Sequence, residues 1–290
     1  MAESLNKRLK AMLNRRAATL VPGAFNALTA KMIADEGFEA VYVSGAGVTN
    51  AYLGIPDLGL ISLSELADNV AAMRDVVDIP IVSDADTGFG NAVNVTRTVR
   101  VLERAGANGI QLEDQVFPKK CGHFAGKAVI PADEAIQKIR AAVDARTDQD
   151  FVIVARTDAR SVLGFEAAME RAHGFIEAGA DVTFVEAPES LEEIEAIAKL
   201  PVPQLINLVY GGKTPVLEQA ALKRMGYGMV LYANAPLQSA MLAVRNTLRH
   251  LKQQGSTTGW DDHLLPFAER QVVVDKARFD AIEKKYAAAE

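Results

Sequence analysis

Eight short runs rich in Val and Ile alternate with amphipathic stretches through most of this chain, and such alternation leaves few architectures open. The candidate strands are 19–23 (TLVPG), 40–45 (AVYVSG), 79–86 (IPIVSDAD), 109–114 (GIQLED), 151–158 (FVIVARTD), 182–187 (VTFVEA), 204–209 (QLINLV) and 228–233 (GMVLYA). Helical patterns lie between them. From Asn94 to Ala105, for example, Val95, Val99 and Leu102 share one face while Arg97, Arg100 and Arg104 lie elsewhere. Four helices end in the same phrase, a Gly just before the next strand: DEGFEAVYV, RAGANGIQL, EAGADVTFV and RMGYGMVLY. Gly accepts the left-handed conformation that ends a helix, so the phrase marks a repeated α-to-β junction. The pattern predicts an α/β fold, a closed (β/α)8 barrel over residues 1–255, with a C-terminal helical extension over 256–290. An open doubly wound sheet uses the same alternation but spreads its strand ends along an edge. Here Ser44, Asp84, Asp86, Glu113, Asp114, Arg156, Asp158, Glu186 and Asn207 all fall at the C-terminal ends of strands, where a barrel gathers its active site.

Composition narrows the function. With 290 residues, 49% of them hydrophobic, the chain can bury a sizeable core. Its 37 acidic and 31 basic residues give a net charge of −6, and no dense Lys/Arg block offers a footprint for nucleic acid. Cys121 is the sole cysteine, so no intrachain disulfide forms, and the opening MAESLNKRLKAML lacks the apolar core of a secretory signal. A cytoplasmic setting is expected. The longest uncharged stretch, Met225 to Val244, is interrupted by Gly226, Asn234, Pro236, Gln238 and Ser239 too often for a membrane span.

The segment Ser83-Asp84-Ala85-Asp86-Thr87-Gly88-Phe89-Gly90 is the most informative. Two carboxylates spaced two apart share a face of a strand and repel, which a hard divalent cation relieves. Alone, such a pair reads as two Asp capping a loop; Glu113-Asp114 at the end of the next strand turns the reading toward metal. Cys121 follows Lys119 and Lys120 and precedes Gly122 and His123. A lone Cys is usually a small buried apolar residue, but neighbouring cations lower a thiol pKa into the range where it exchanges protons. Arg156 either holds a substrate carboxylate with its planar fork or forms a structural ion pair with Asp158 or Glu186. The SGAG turn at Gly45 and Gly47 is a weak anion-binding signal. Gly211-Gly212-Lys213-Thr214 lacks the upstream Gly of a phosphate loop.

Taken together and in this order, DADTGFG, EDQ, KKCGH and ARTD resemble the isocitrate lyase and phosphoenolpyruvate mutase superfamily, over about Leu9 to Gly255, and most of all its short lyase branch. The resemblance implies a Mg2+-dependent enzyme, with Mn2+ as a possible substitute. Asp84, Asp86, Asp57 and Glu113 would form the metal shell. Tyr42, Ser44, Gly45, Ala46, Asp57, Gly122, Arg156, Glu186 and Asn207 would meet the substrate. Catalysis would fall to Cys121, Arg156, Lys119, Glu113 and His123, with Cys121 as proton donor in the cleavage direction. The implied reaction splits a 2-hydroxy di- or tricarboxylate, of the 2-methylisocitrate or 2,3-dimethylmalate (2-alkylmalate) type, into pyruvate or a related oxo acid and a second carboxylic acid. Family members exchange a helix between subunits, commonly in tetramers, which implies a homo-oligomer and a role for the C-terminal segment. Two departures touch substrate choice: Tyr210 stands where many relatives have Glu, and Ala233 where oxaloacetate hydrolases have Ser. The rival chemistries are a carboxyphosphonoenolpyruvate mutase and an oxaloacetate hydrolase or decarboxylase. A silent carboxylate-binding barrel has no need of Asp84, Asp86, Glu113, Arg156 and Cys121 together.

Overall fold

The computed structural model describes residues 3–120, 122 and 126–287. Its strands are β1 (Thr19–Ala24), β2 (Val41–Val43), β3 (Ile81–Asp84), β4 (Gly109–Glu113), β5 (Val152–Thr157), β6 (Val182–Val185), β7 (Leu205–Asn207) and β8 (Met229–Tyr232). Each of the eight apolar runs holds one, β1 extending a single residue past its run. They pair in parallel in the order β6-β5-β4-β3-β2-β1-β8-β7, so β1 and β8 meet and the sheet curls into a barrel. Between β6 and β7 the ladder thins to one parallel bridge, Thr183 to Gln204, reinforced by Thr183 Oγ1 donating to Gln204 Oε1 at 2.8 Å. The barrel is therefore nearly closed.

Strand alternation sorts the core into layers. Tyr42, Val82, Val152, Val154 and Phe184 point inward, while Val41, Val43, Ile153 and Ala155 face the surrounding helices. The helix Leu5–Asn14 lies under the strand starts and adds Leu9, Met12 and Leu13 to the inner cluster. The four junction glycines Gly37, Gly106, Gly179 and Gly226 have φ of 81°, 101°, 98° and 89°, the left-handed conformation that the repeated phrase predicts. The helix expected over Asn94 to Ala105 runs Ala92–Arg104, and its Leu102 is fully buried. Leu102→Ala is expected to cost about 2–5 kcal/mol in urea unfolding, because the cavity cannot fully collapse.

Two local expectations are corrected. SGAG is the start of a helix, Gly45–Val48, with Ser44 as its N-cap accepting from the Gly47 N–H. The C-terminal extension expected to be helical over 256–290 is helical only in part, with a 3-10 turn at Asp261–His263 and two separate helices, Phe267–Val273 and Lys276–Tyr286. The β-branched run Val272-Val273-Val274 is a poor place to continue a helix, and Asp275 turns into the left-handed region at φ 55°. By contacts the chain divides into a unit ending at Pro236 and a second from Leu237 to Glu290, whereas the sequence suggests a boundary at Gly255. Within the second unit, Trp260 stacks between His250 and His263, with ring centroids 4.4 and 4.0 Å away. No helix among the described residues is long and apolar enough to cross a membrane.

Candidate active site

A cavity of about 210 Å³ opens at the C-terminal ends of the strands. Tyr42 reaches it from β2, Ser44 and Ala46 from just beyond β2, and Asp84 from the end of β3. Glu113 ends β4, Arg156 sits in β5, Glu186 follows β6 and Asn207 ends β7; Asp57, Lys119 and Gly122 enter from loops. A larger cavity of about 540 Å³ lies between segments 59–63 and 87–91, but none of these strand-end carboxylates lines it. Of the expected site residues that are described, Gly45 and Asp86 do not line this cavity but lie beside it, Asp86 against Lys119 and Gly45 against Asp84 and Asp86. Cys121 and His123 lie outside the described residues.

Acid dominates one side of the cavity. Asp57, Asp84, Asp86 and Glu113 are all buried, and Lys119 stands among them with Nζ 2.5 Å from Asp57 Oδ1 and 2.8 Å from Asp86 Oδ1. Burial works against the Lys119 ammonium, yet Asp86, Glu113, Asp84 and Asp57 outweigh it and hold its pKa well above the ordinary lysine value. Burial raises the Asp86 carboxyl to about 7, opposed by Lys119 and reinforced by Asp84 and Asp57. Glu113 and Tyr42 are likewise pushed well up, burial being the largest cause for each. Asp86 comes beside Asp84 through a turn, at φ 46°, and not through the strand pleat that the spacing suggested. Gly45 makes room for the pair, since a Cβ there would lie 3.0 Å from Asp84 Oδ2 and 3.3 Å from Asp86 Oδ1.

These residues fit a hard divalent cation. The donors are carboxylate oxygens in excess of the positive charge among them, and Glu113 Oε1 is buried without a hydrogen-bond partner. The expected shell of Asp57, Asp84, Asp86 and Glu113 is not preformed, however: among the described residues no three acidic, His or Cys side chains converge as a ligand set. The Lys119 ammonium instead bridges two of the four.

Arg156 dominates the other side. Its Nε and Nη2 donate to Asp158 at 2.8 and 3.0 Å, so the structural ion pair is present. Its Nη1 is 3.6 Å from Glu186 Oε2, Nε is 3.4 Å from Glu113 Oε2, and the guanidinium lies 5.2 Å from the Phe184 ring centroid. Glu113 and Phe184 are its register partners on β4 and β6, which explains both contacts. Burial raises the Asp158 carboxyl, but Arg156 and Lys127 more than offset this and hold it at about 2.

Alternation turns Asp114 away from Glu113. Asp114 accepts from Thr157 Oγ1 at 2.7 Å, from the Asp158 N–H at 2.8 Å and from Arg171 Nη1 at 3.0 Å. It orients the β5 end from behind. Arg171→Met would leave this buried carboxylate short of its cation and is expected to cost about 3–5 kcal/mol by thermal unfolding. Sequence reading missed Arg171, Asn234, which accepts from Ser44 Oγ at 3.0 Å, and Lys127, which donates to Asp158. Arg171 and Lys127 carry no strand-end signal, because one comes from a helix and the other from a loop.

The family described as phosphoenolpyruvate phosphomutase matches residues 9–252. The chain belongs to this family. It is 42% identical over 281 residues to 2,3-dimethylmalate lyase of Eubacterium barkeri, covering 97% of both chains. It is 47% identical over 249 residues to 2-methylisocitrate lyase of Aeropyrum pernix, covering 86% of this chain and 80% of that one. Among solved structures it superposes on phosphonopyruvate hydrolase in complex with oxalate and Mg++ with a TM-score of 0.88 and 31% identity, over 98% of this chain and 99% of that one. The resemblance carried by DADTGFG, EDQ, KKCGH and ARTD holds, and by this kinship the family member described here is an enzyme, a carbon–carbon lyase.

Proposed function

We propose that the enzyme cleaves the C2–C3 bond of a 2-hydroxy di- or tricarboxylate, of the 2-methylisocitrate or 2,3-dimethylmalate (2-alkylmalate) type, giving pyruvate or a related oxo acid and a second carboxylic acid. One observation carries this reading: a single small cavity joins the carboxylate cluster, the Arg156 guanidinium and an apolar wall of Phe184, Val209, Leu231 and Ala233. A charged head and an alkyl group suit that combination. Tyr210, in place of the Glu of relatives, is 90% exposed and does not line the cavity.

Arg156 Nη1 and the Ser44–Ala46 segment would hold the oxo-acid carboxylate. Mg2+, or Mn2+ in its place, held by Asp57, Asp84, Asp86 and Glu113 directly or through water, would supply Lewis-acid stabilisation of charge on the 2-oxygen. The 2-hydroxyl gives up its proton to a carboxylate of the cluster, the C2–C3 electron pair passes to C3, and C3 takes a proton. Cys121 is the donor that the family resemblance assigns, while Glu186 and Asn207 face the departing acid. Lys119, with its ammonium between Asp57 and Asp86, offsets the repulsion between these two carboxylates. In an assay that quantifies pyruvate, other 2-oxo acids and oxalate released from 2-methylisocitrate, 2,3-dimethylmalate, other 2-alkylmalates, isocitrate and oxaloacetate, turnover is expected for the alkyl-bearing acids with Mg2+, and silence after chelation. Turnover of oxaloacetate alone, or full activity in excess chelator, would overturn the reading.

We also propose a homo-oligomer. On the helix Ala235–Gln254, Met241, Val244 and Leu248 form an exposed apolar stripe, which supports an interface between copies. Truncation at Gly255 tests the segment that follows this helix: it should lower the mass in light scattering or cause aggregation, and an unchanged soluble assembly would count against a role for that segment.

A further inference from the structure

We propose that Lys127 is a positioning residue that sets the Arg156 guanidinium for a substrate carboxylate and seats Gly122 against it. Its Nζ donates to Asp158 Oδ1 at 2.6 Å and to the Gly122 carbonyl at 2.5 Å, and its side chain is only 2% exposed. Both acceptors lead to Arg156. Asp158 takes Nε and Nη2 of the guanidinium, fixing its plane and leaving Nη1 toward the cavity. Gly122 lies so close that a Cβ there would overlap Arg156 Nη2 and come within 2.7 Å of Glu186 Oε1. Lys127, Asp158, Arg156 and Gly122 therefore form a closed ring of contacts in which a single ammonium ties a loop carbonyl to the carboxylate that orients the arginine.

Charge explains why a lysine is needed. Asp158 is fully buried and carries one negative charge, and Arg156 is also drawn toward Glu113 and Glu186. A second cation on Asp158 Oδ1 keeps that carboxylate ionised and in place, so the guanidinium does not swing toward either glutamate. Met at this position would fill much of the same space while leaving the Gly122 carbonyl and Asp158 Oδ1 each one donor short.

The inference rests on the oxo-acid reading only for the identity of the ligand, and two readouts separate them. The Arg156 Nε–H signal in proton–nitrogen NMR, assigned by its loss in Arg156→Lys, reports how firmly Asp158 holds the guanidinium whether or not a ligand binds. Calorimetric titration with oxalate in Mg2+ reports the carboxylate site. In Lys127→Met, solvent exchange of the Nε–H is expected to quicken and oxalate binding to weaken, each by about tenfold or more. A purely structural ion pair would lower the melting temperature and leave both readouts, taken well below it, at wild-type values; that result overturns the proposal. Weaker oxalate binding with unchanged Nε–H exchange would also overturn it, since Lys127 would then act on the ligand and not through Arg156. Faster exchange in a protein whose wild type takes no oxalate would sustain the positioning of Arg156 and sink the oxo-acid reading. Should Lys127→Met not fold, Lys127→Gln, which keeps a donor without the charge, is expected to show both losses in milder form. Wild-type values in Lys127→Gln would then overturn the proposal.

Discussion

Asp86→Asn is expected to lower kcat/KM by about a thousandfold, the scale seen when an enzyme loses one group that stabilises transition-state charge. The change keeps the shape of the side chain and removes the carboxylate that shares Lys119 with Asp57. It also removes one of the four carboxylates proposed to hold Mg2+, so Mg2+ titrated in the presence of oxalate should bind much more weakly. The fold should survive, because Asp86 lies beyond the end of β3 and outside the packed clusters. Circular dichroism at wild-type intensity beside lost turnover is the predicted pair of results. Asn at this position with normal activity would remove Asp86 from the mechanism.

Arg156→Met should damage both activity and stability. Asp158 would keep only Lys127 as a cation while fully buried, and stranding a charge in this way costs about 3–5 kcal/mol. The pH dependence gives this prediction a sign. Asp158 has its pKa depressed to about 2 in the folded protein. Its stabilising contribution is complete above the unfolded value near 4 and is lost as pH falls toward 2, and over that interval it amounts to about 2 kcal/mol. Without Arg156 the folded pKa rises, so the acid unfolding midpoint of the variant should move to higher pH. An acid midpoint equal to that of the wild type would show that Arg156 does not hold Asp158.

The barrel was legible because its signal is periodic and repeated: each Val/Ile run became a strand, and each RAG- or EAG-like phrase became a junction with a left-handed Gly. The carboxylates were legible for a related reason, since a strand end at a barrel mouth has one place to point. What sequence could not reach was direction and partnership. Glu113 and Asp114 looked equivalent, yet alternation sends one into the cavity and the other back to Arg171. Arg156 was weighed between substrate and ion pair, and the geometry shows the ion pair with Asp158, with Nη1 left 3.6 Å from Glu186 Oε2. Lys119 reads from sequence as part of a catalytic loop, while its ammonium lies between two acids that were expected to face a metal. Such pairings depend on distances across the barrel mouth, which no local pattern encodes. Lys127 escaped notice for the same reason, since its partners lie five residues away at Gly122 and across the fold at Asp158.

The single bridge from Thr183 to Gln204 bears on how enzymes of this shape diversify. Glu186, just after β6, and Asn207, the last residue of β7, flank the seam that this bridge closes, so the wall proposed to face the departing acid is also the most weakly laced part of the described barrel. A wider or narrower gap there breaks one rung, whereas the same change between β4 and β5 would disturb five paired positions beneath Glu113 and Arg156. Arg156, proposed to grip the oxo acid, stands on the densely paired β4–β5 side of the barrel. The proposed departing-acid wall sits on the compliant side, where a different alkyl group could be admitted by spreading one seam while the paired strands opposite keep their spacing.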